Sequence, residues 1–521
     1  MKLQQYVYNT ETQKMEKFEP WNGSQVKMYC CGPTVYDFLH IGNFRGAIFY
    51  NFVRNWLEHL GYKVTYVYNY TDVDDKIINR AAADGVTSQQ VAEKYIAEFE
   101  KDFKALGLRD HDFNPRVSAF INPIIKMIQT LIDNGHAYAV DGEVLFKVKA
   151  FAPYGKLSHR DPEDMRSGYR IEVKENKQDP LDFALWKPQK DKSEPAWPSP
   201  WGLGRPGWHI ECSAMASEIL GPQIDIHGGG LDLIFPHHEN EIAQSESCSG
   251  KHYVKYWLHN NMLNFSGAKM SKSLGNILTG RAFLEKYDAE ILKYMMLSVH
   301  YRSVTDFGEA AVSQCVSSLA RIYSALGVAE AIAKEAGVDL YLGNKNPNDN
   351  LARLAGVLDI NTELDVMKPL AGLYSAEIRK KYLQDWLKMQ QAYCDDFSTP
   401  QAFAIVFEKV REFNSKFKRG MKPNPKILSE CFHFVQFVVQ DFGFMMSLFQ
   451  QRPSEFLTAL DDLLLENMKL KRSDVQALVD ERMQARANKD FAKSDELRAK
   501  INAMGISVSD TPQGSFWEVT K

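Results

Sequence analysis

Two short motifs, far apart in the chain, carry residues that suit the phosphates of a nucleotide. The first reads His-Ile-Gly-Asn from His40 to Asn43. Gly42 permits close backbone approach, the two outer side chains add donors, and a helix predicted to begin near Asn43 directs its dipole at an anion. The second reads Lys-Met-Ser-Lys-Ser and contains Lys269 and Lys272 in a glycine-flanked loop. Such a lysine pair can stabilise the charge that builds on departing pyrophosphate, so the motifs together predict a nucleoside triphosphate site.

Four further residues form a possible metal-binding set, namely Cys31, Cys212, His237 and Glu241. Two thiolates, one imidazole and one carboxylate suit zinc. His237 and Glu241 are four apart and would share one face of a helix. Cys30 and Cys31 point to opposite sides of a predicted strand, and we choose Cys31 because it adjoins the nucleotide loop. Spacing alone leaves open that the cysteines are simply buried and that the His-Glu pair is unrelated.

Three other strings imitate known motifs but lack the required context. Residues 202–207 match the dinucleotide pattern G-x-G-x-x-G, yet no strand is predicted before them and Trp-His, not a helix start, follows. His227 precedes three glycines as in a lipase oxyanion loop, but no G-x-S-x-G elbow occurs. His238-Glu239 begins a metalloprotease motif that Ile242 interrupts, and no P-loop is found. These failures argue against dehydrogenases, hydrolases, proteases and P-loop enzymes.

The elements around the first motif predict a parallel α/β unit. A strand is expected over 26–31 and another over 63–68, joined by a helix whose apolar residues recur every three or four positions up to Leu60. Gly61 stands at the C-terminal cap of that helix. The motif then opens at the carboxyl end of a parallel strand, where open α/β sheets bind ligands.

Farther along, the pattern changes several times. A helix over 87–106 begins with a possible capping box formed by Thr87 and Gln90. Residues 121–204 read as an inserted domain with a short helix, strands such as 143–149, and turns rich in Pro and Trp. Beyond about residue 310 the chain is almost wholly helical, and the last fifty residues form a small mixed α/β unit.

Composition is that of an ordinary globular protein. The 521 residues are 45% hydrophobic and 25% charged, with a net charge of -4, so total charge gives no argument for a nucleic-acid partner. The seven scattered cysteines suit a reducing compartment. We find no uninterrupted apolar run of membrane-spanning length and no signal or transit segment at the N-terminus. We therefore expect a cytoplasmic protein without a membrane partner. We also expect a monomer.

Longer strings around these residues resemble the cysteinyl-tRNA synthetase family of class I aminoacyl-tRNA synthetases. They are Cys-Gly-Pro-Thr-Val-Tyr-Asp at 31–37, Thr-Asp-Val-Asp-Asp-Lys at 71–76, Gly-Trp-His-Ile-Glu-Cys-Ser at 207–213, Gly-Gly-Gly-Leu-Asp-Leu at 228–233 and Phe-Pro-His-His-Glu-Asn-Glu at 235–241. The resemblance covers nearly the whole chain and is most specific over 26–310. The family usually has His-Ile-Gly-His, so Asn43 is a departure, although an amide can still donate to phosphate.

The resemblance implies a fold and a set of domains. It implies an α/β, Rossmann-like class I catalytic domain with an inserted connective domain, followed by an α-helical bundle and a small mixed α/β C-terminal domain. The expected boundaries are 1–120 with 205–265 for the catalytic domain, 121–204 for the insertion, 266–320 for the lysine loop and stem-contact region, 321–465 for the tRNA-binding bundle, and 466–521 for the anticodon-binding domain.

It also implies an activity and its residues. The enzyme would activate L-cysteine with ATP and Mg2+ to cysteinyl-adenylate and then transfer cysteine to the 3'-terminal ribose of tRNA(Cys). One zinc ion on Cys31, Cys212, His237 and Glu241 would bind the substrate thiolate. The amino-acid pocket would be formed by Gly32, Thr71, Trp208 and His227, and catalysis and ATP binding would fall to His40, Gly42, Asn43, Lys269 and Lys272.

Two other readings remain at this stage. A cysteine–glucosaminyl-inositol ligase shares the adenylating core but ends after the helical region, whereas this chain continues. A catalytically dead RNA-binding paralogue would have lost the lysine loop or a zinc ligand.

In the tail, Phe516 and Trp517 either stack on bases or form the core of a tiny domain. A basic turn around Lys418 is a weaker candidate for tRNA contact, and the long 333–392 segment either extends the helical bundle or contacts the tRNA.

Overall fold

The computed structural model describes residues 3–164, 177–265, 268–269, 278–341, 372–511 and 514–520. The chain forms two compact units. The first contains residues 1–281 together with His300–Thr305 and Cys394–Phe397, and the second contains the remainder. The predicted domain boundaries are finer than this division and stay predictions.

A four-stranded parallel sheet is the centre of the first unit. Its strands lie in the spatial order Val254–Asn260, Ile224–Gly230, Gln25–Cys30 and Lys63–Tyr68. The helix Asn43–His59 connects the last two strands and buries nearly all of its length. The predicted strand–loop–helix–strand unit is therefore confirmed, and its loop opens at the carboxyl edge of the sheet.

The ends of two predicted helices are confirmed in detail. Gly61 has φ of 91° and its N–H donates to the Glu58 carbonyl, while the Tyr62 N–H donates to the Leu57 carbonyl. This is a Schellman cap, and glycine suits it because other residues rarely adopt a positive φ. Thr87 and Gln90 form the predicted reciprocal capping box at the start of the helix Ser88–Ala105.

The inserted segment packs against the sheet unit. Its helix, Ile121–Asp133, shares a hydrophobic core with the helices Trp208–Leu220 and Glu239–Ser249. Its four antiparallel strands pair in chain order and are Ala137–Val140, Glu143–Phe146, Phe183–Pro188 and Gly204–Pro206. The strand expected over 143–149 is shorter, because a helical turn begins at Val148.

One reason given against the glycine string at 202–207 is wrong. A helix does begin at Trp208, with Gly207 as its N-cap, and a short strand, Gly204–Pro206, precedes it. That strand belongs to the antiparallel sheet of the insertion, so no dinucleotide-binding βαβ unit is formed. A Cβ on Gly207 would lie 2.0 Å from the Ala184 carbonyl oxygen, so the glycine serves close backbone packing.

The first unit contains several shorter elements. They are the hairpin Tyr6–Asn9 with Lys14–Lys17, the helix Asp75–Asp84, the helical turns Val117–Ala119, Val148–Ala150, Leu231–Leu233 and Ile234–His238, and the strands Leu263–Phe265 and Ala268–Lys269. The chain also forms a short helix, Gly280–Lys286, and a short strand, Thr305–Phe307.

The second unit is mainly helical, as predicted. Among the described residues its helices are Ala289–Leu297, Glu309–Glu335, Ala376–Cys394, Thr399–Lys416, Pro425–Val435, Gln436–Gly443, Phe444–Met446, Pro453–Asn467, Arg472–Ala487 and Phe491–Ala503. The helix Glu309–Glu335 is long and apolar enough to cross a membrane by length and composition, although polar residues interrupt its apolar stretch. In the most apolar window 61% of the residues are buried inside the unit, as in a core helix.

The long 333–392 segment is only partly described, because 342–371 lies outside the described residues. Its last part forms the helix Ala376–Cys394, in which Arg379 is buried and donates to Asp441 at 2.8 Å. That part of the segment therefore packs within the helical unit.

The small C-terminal unit has a hydrophobic core of its own. Three helices, Pro453–Asn467, Arg472–Ala487 and Phe491–Ala503, pack on the hairpin Ile506–Thr511 with Gly514–Val519. Trp517 belongs to this core, is 7% exposed and donates its indole N–H to Gln476. Of the two alternatives for Trp517, its place in the core of the small domain is therefore confirmed and its exposure for base stacking is not. Phe516 is half-buried under the Arg419 guanidinium, 3.9 Å from the ring centre.

Candidate active site and metal centre

The four predicted metal ligands converge although they lie on separate segments of the chain. Cys31 follows the strand Gln25–Cys30, Cys212 lies in the helix Trp208–Leu220, and the other two flank the start of the helix Glu239–Ser249. The Cys31 sulfur lies 3.6 Å from the Cys212 sulfur, 3.5 Å from His237 Nε2 and 3.4 Å from Glu241 Oε1. His237 Nε2 lies 3.1 Å from Glu241 Oε1.

These distances and this donor set fit zinc. Bonds of about 2.3 Å to sulfur and about 2.0–2.2 Å to nitrogen or oxygen place neighbouring donors of a tetrahedral zinc site about 3.3–3.8 Å apart. The observed separations lie in or close to that range. Two sulfur donors also favour zinc over the hard cations Mg2+ and Ca2+.

A second group of donors lies within 4.8 Å of one another, with His227 and His238 in place of Cys212 and His237. In that group His227 Nε2 contacts the other oxygen of Glu241 at 3.0 Å, and His238 Nδ1 contacts His259 at 2.8 Å. We therefore interpret His227 and His238 as neighbours that support the four predicted ligands, and not as metal ligands themselves.

The surroundings of the cluster hold its side chains in place. While Glu241 Oε1 faces the other donors, its Oε2 contacts His227 and lies 3.4 Å from the Tyr253 hydroxyl. His237 contacts His209 through Nδ1 at 2.9 Å, which leaves Nε2 for the cluster. Partners of this kind fix the orientation of ligands at metal sites.

Burial and close charges shift the pKa values of all four donors. Burial raises the pKa of the Cys31 thiol, whereas the hydrogen bond from Cys31 lowers the pKa of Cys212 to about 6. Burial opposes protonation of His237, but hydrogen bonds to Cys212 and Glu241 outweigh it and raise its pKa to about 10. Burial also opposes ionisation of Glu241, but His227 and His237 hold the pKa of its carboxyl well below the usual range. A protonated His237 thus stabilises the Cys212 thiolate and the Glu241 carboxylate, and a divalent cation would take over this role by displacing the proton.

A cavity of about 400 Å³ lies beside the cluster. Its wall includes Cys31, Gly32 and Trp208 together with the nucleotide motif residues His40, Gly42 and Asn43. The two predicted parts of the site therefore share one cavity. The volume is that of a small-molecule site.

The nucleotide motif adopts a tight backbone conformation. The first amides of the helix donate to carbonyls of the motif itself, as in the Asn43 N–H to His40 carbonyl bond of 2.9 Å. The Asn43 side-chain oxygen accepts from the His40 N–H, so a ligand contact by this side chain has to be made by its NH2 group. A phosphate bound at this motif would therefore be contacted by side chains and by the helix dipole more than by unpaired amides.

The predicted amino-acid-binding residues fall into two groups. Gly32 and Trp208 lie on the cavity wall, and the Trp208 ring stacks on His237 with 4.2 Å between ring centres. Thr71 and His227 are buried behind the wall. His227 there contacts Glu241 and stacks on Trp257 at 4.5 Å.

The two predicted lysines are only partly placed. The backbone of Lys269 belongs to the strand Ala268–Lys269, which pairs with Asn264 and Phe265. Lys272 lies outside the described residues.

The sequence reasoning missed two residues that position the site. Asn69 accepts from the Gly32 N–H at 2.9 Å and contacts Thr71, and a Cβ on Gly32 would lie 1.7 Å from the Asn69 carbonyl oxygen. Its place just after a strand of the sheet was the available signal. Arg45 is buried and donates to four backbone carbonyls, at Asn261, Met262, His300 and Ser303. For Arg45, which lies on a largely apolar helix, no signal in the sequence indicated a role in positioning the site.

Comparison with known proteins gives the family. The description "tRNA synthetases class I (C) catalytic domain" matches residues 17–317. A cysteine–tRNA ligase of Bdellovibrio bacteriovorus is 55% identical over 516 residues, which cover 99% of each chain. The chain belongs to the cysteine–tRNA ligase family. A member from Geobacter metallireducens is 43% identical over 98% of this chain and 99% of its own.

The remaining matches agree with this family. "DALR domain" matches residues 388–450, and "Cysteinyl-tRNA ligase anticodon binding domain" matches 472–517. Among solved structures, methionyl-tRNA synthetase of Mycobacterium tuberculosis in complex with methionyl-adenylate has a TM-score of 0.57 at 14% identity, covering 86% of this chain and 95% of that one. A putative arginyl-tRNA synthetase of Campylobacter jejuni has a TM-score of 0.52 at 12% identity, covering 82% and 94%. These likenesses show the class I synthetase fold.

The predicted fold class and enzyme class are thereby confirmed. The enzyme is an aminoacyl-tRNA synthetase of the cysteine–tRNA ligase family. The near-complete coverage, which includes the anticodon-binding domain, does not favour the cysteine–glucosaminyl-inositol ligase.

Proposed function

We propose that this cysteine–tRNA ligase uses the cavity beside Cys31 for both steps of its reaction. The carboxylate of L-cysteine attacks the α-phosphorus of ATP, which releases pyrophosphate, and the 3'-terminal ribose of tRNA(Cys) then takes the cysteinyl group. The observation that carries the proposal is the shared cavity, since Cys31 and the motif residues His40, Gly42 and Asn43 all line it.

Cys31, Cys212, His237 and Glu241 would hold one zinc ion. Bound zinc supplies a soft Lewis acid that prefers the deprotonated thiol of cysteine to the hydroxyl of serine. An apolar pocket distinguishes such similar side chains by only about 1–3 kcal/mol. Selection by the four donors would therefore make a separate editing site unnecessary.

The chain's own side chains position the reactants. His40 and the Asn43 NH2 group contact the ATP phosphates, with Gly42 allowing close approach and Lys269 and Lys272 stabilising the charge on departing pyrophosphate. Mg2+ accompanies ATP. Catalysis in this step is mainly positioning and charge stabilisation.

The amino-acid pocket combines wall residues with residues behind them. Gly32 and Trp208 face the substrate, while Asn69 holds Gly32 and Thr71 in place. His227 acts through its contact with Glu241. We further propose that the enzyme is a monomer of the cytoplasm, where its seven cysteines, none in a disulfide, remain reduced.

Charging of total tRNA with labelled cysteine, and in parallel with labelled serine, tests the proposal. ATP and Mg2+ are present in both reactions, and the same samples are assayed for amino-acid-dependent ATP–pyrophosphate exchange. We expect acid-stable label on tRNA from cysteine alone. Removal of zinc by a chelator should abolish cysteine-dependent exchange, and zinc should restore it.

Two results would contradict the proposal. Charging with serine at a rate near that of cysteine would show that the donors do not select the thiol. Exchange without charging of cognate tRNA would mean that the activated cysteine is passed to a different acceptor.

A further inference from the structure

The wall of the cavity carries a lysine that neither predicted motif uses. Lys76 lies on the cavity wall and is exposed to solvent. Its ammonium lies 5.5 Å from the centre of the Tyr36 ring, which lines the same wall. Among the described residues of the wall, Lys76 is the only lysine or arginine.

The acidic residues next to Lys76 in sequence are committed to other partners. Asp72 accepts from the backbone N–H of Ser118 at 3.0 Å. Asp74 caps the helix Asp75–Asp84 by accepting from the Lys76 N–H. Asp75 pairs with Lys187 at 3.0 Å and with Arg205. In the described part of the chain, no carboxylate forms an ion pair with the Lys76 ammonium, and no group in that part therefore competes with an anion from outside.

The position of Lys76 indicates which anion it meets. The motif residues His40, Gly42 and Asn43 are half-buried on a wall suited to the phosphates of ATP, whereas Lys76 is exposed to solvent. Of the substrates in the proposed function, only the RNA remains mostly outside the cavity while its end enters. An ammonium beside an aromatic ring combines phosphate attraction with a surface for a base, which is how single strands are bound.

We propose that Lys76 and Tyr36 receive the single-stranded 3' end of the tRNA, with Lys76 on a phosphodiester and Tyr36 against the terminal base. This inference rests on the proposed function and identifies the place where the RNA enters the site. The pair binds the RNA strand without reading its sequence, because a phosphate and a stacked ring are common to all nucleotides.

The test compares Lys76→Gln with Lys94→Gln in the full-length, zinc-loaded enzyme. Lys94 is a matched control, since it is also exposed, lies on a neighbouring helix and has its ammonium 5.2 Å from a tyrosine ring, but it is absent from the cavity wall. We expect Lys76→Gln to raise the KM for tRNA about threefold to tenfold and to reduce the slope of log KM against log salt by about 0.7, the loss of one single-strand phosphate contact. Lys76→Arg should restore both, and Lys94→Gln should match the wild type.

Exchange measurements separate the alternatives. A fall of ATP–pyrophosphate exchange equal to the fall of charging would place Lys76 on ATP and overturn the proposal. An unchanged salt slope with a raised KM would overturn it as well, since no phosphate contact was lost. If the wild-type enzyme charges tRNA and Lys76→Gln behaves identically, the inference fails alone; if the wild type charges no tRNA, the proposed function fails.

Discussion

Cys31 is the residue where the candidate metal centre and the substrate cavity meet. It contacts the other three donors and also lies on the cavity wall. Its neighbour Cys30 is the last residue of the strand, and burial raises the pKa of the Cys30 thiol well above its ordinary value. Of two adjacent cysteines, one is therefore a buried thiol of the core and the other a candidate ligand. Alternation along a strand explains this division.

Substitution of Cys212 tests the ligand set. Because Cys212→Ser replaces a soft thiolate with a neutral hydroxyl, we expect zinc affinity to fall more than tenfold and the KM for cysteine to rise. Zinc content after dialysis and ATP–pyrophosphate exchange measure the two effects. Cys248→Ser, on the same helix as Glu241 but outside the cluster, serves as the control. Full zinc content in Cys212→Ser would remove Cys212 from the ligand set.

Substitution of Arg45 tests a residue that acts through backbone carbonyls. Its four acceptors include Asn261 and Met262, which line the cavity. Arg45→Met would leave buried carbonyls without a donor, and we expect it to cost about 3 kcal/mol of unfolding free energy. Arg116→Met, which breaks the more exposed pair with Glu93, should cost less than about 1 kcal/mol.

Urea unfolding of the two arginine variants provides the measurement. An equal loss in both would show that the four carbonyl bonds contribute no more than a surface ion pair. Kinetics add a second readout, since displacement of the wall at Asn261 should raise the KM for ATP in Arg45→Met alone.

At the scale of elements, sequence reasoning worked where one local rule decides the outcome. The cap at Gly61, the capping box at Thr87 and the parallel βαβ unit each follow from a few neighbouring residues. The helix at Trp208 was missed because its N-cap glycine was taken as part of a turn. Trp517 was left open, because exposure depends on how helices close over a hairpin.

Residues that act through distant contacts were harder to predict. Asn69, Arg45 and His209 gain their roles only when chain segments far apart in sequence come together. Spacing indicated two of the four metal donors as neighbours, and the family resemblance supplied the complete set. Physical rules applied to one sequence do not reach such long-range pairs.

The C-terminal hairpin should be sensitive to acid. The Asp510 carboxylate accepts two bonds from Arg482, at 2.7 and 2.8 Å, and also contacts Arg486. The hydrogen bonds from Arg482 in particular hold the pKa of this carboxyl well below its usual range. A carboxyl with a lowered pKa in the folded state stabilises the fold above its unfolded value of about 4, and this contribution is lost as pH falls further.

Hydrogen exchange over residues 472–520 measures that effect. We expect protection to decline below about pH 4 in the wild type and in the control Asp480→Asn, which removes an exposed carboxylate of the same domain. Asp510→Asn should already be less protected at neutral pH and should change less with acid. Identical profiles for the three proteins would contradict the role of Asp510.

At the scale of the whole molecule, the tail distinguishes activation from charging. A protein that ends at residue 471 lacks the segment matched by the anticodon-binding family. We expect it to keep cysteine-dependent exchange, because every described wall residue of the cavity lies in the first unit, and to show a raised KM for tRNA. Parallel exchange and charging assays measure both. Charging with an unchanged KM would show that the tail does not contribute to tRNA binding.

The order of strands in the parallel sheet has a consequence for the synthesis of the chain. The strand Gln25–Cys30 is made early, yet it lies between Lys63–Tyr68 and Ile224–Gly230, and the latter leaves the ribosome much later. Pairings so distant in sequence form slowly, because a long loop has to close first. The candidate metal donors also come together late, because Cys31 is synthesised long before Glu241. Metal capture by the nascent chain would thus mark the moment when this sheet has closed correctly.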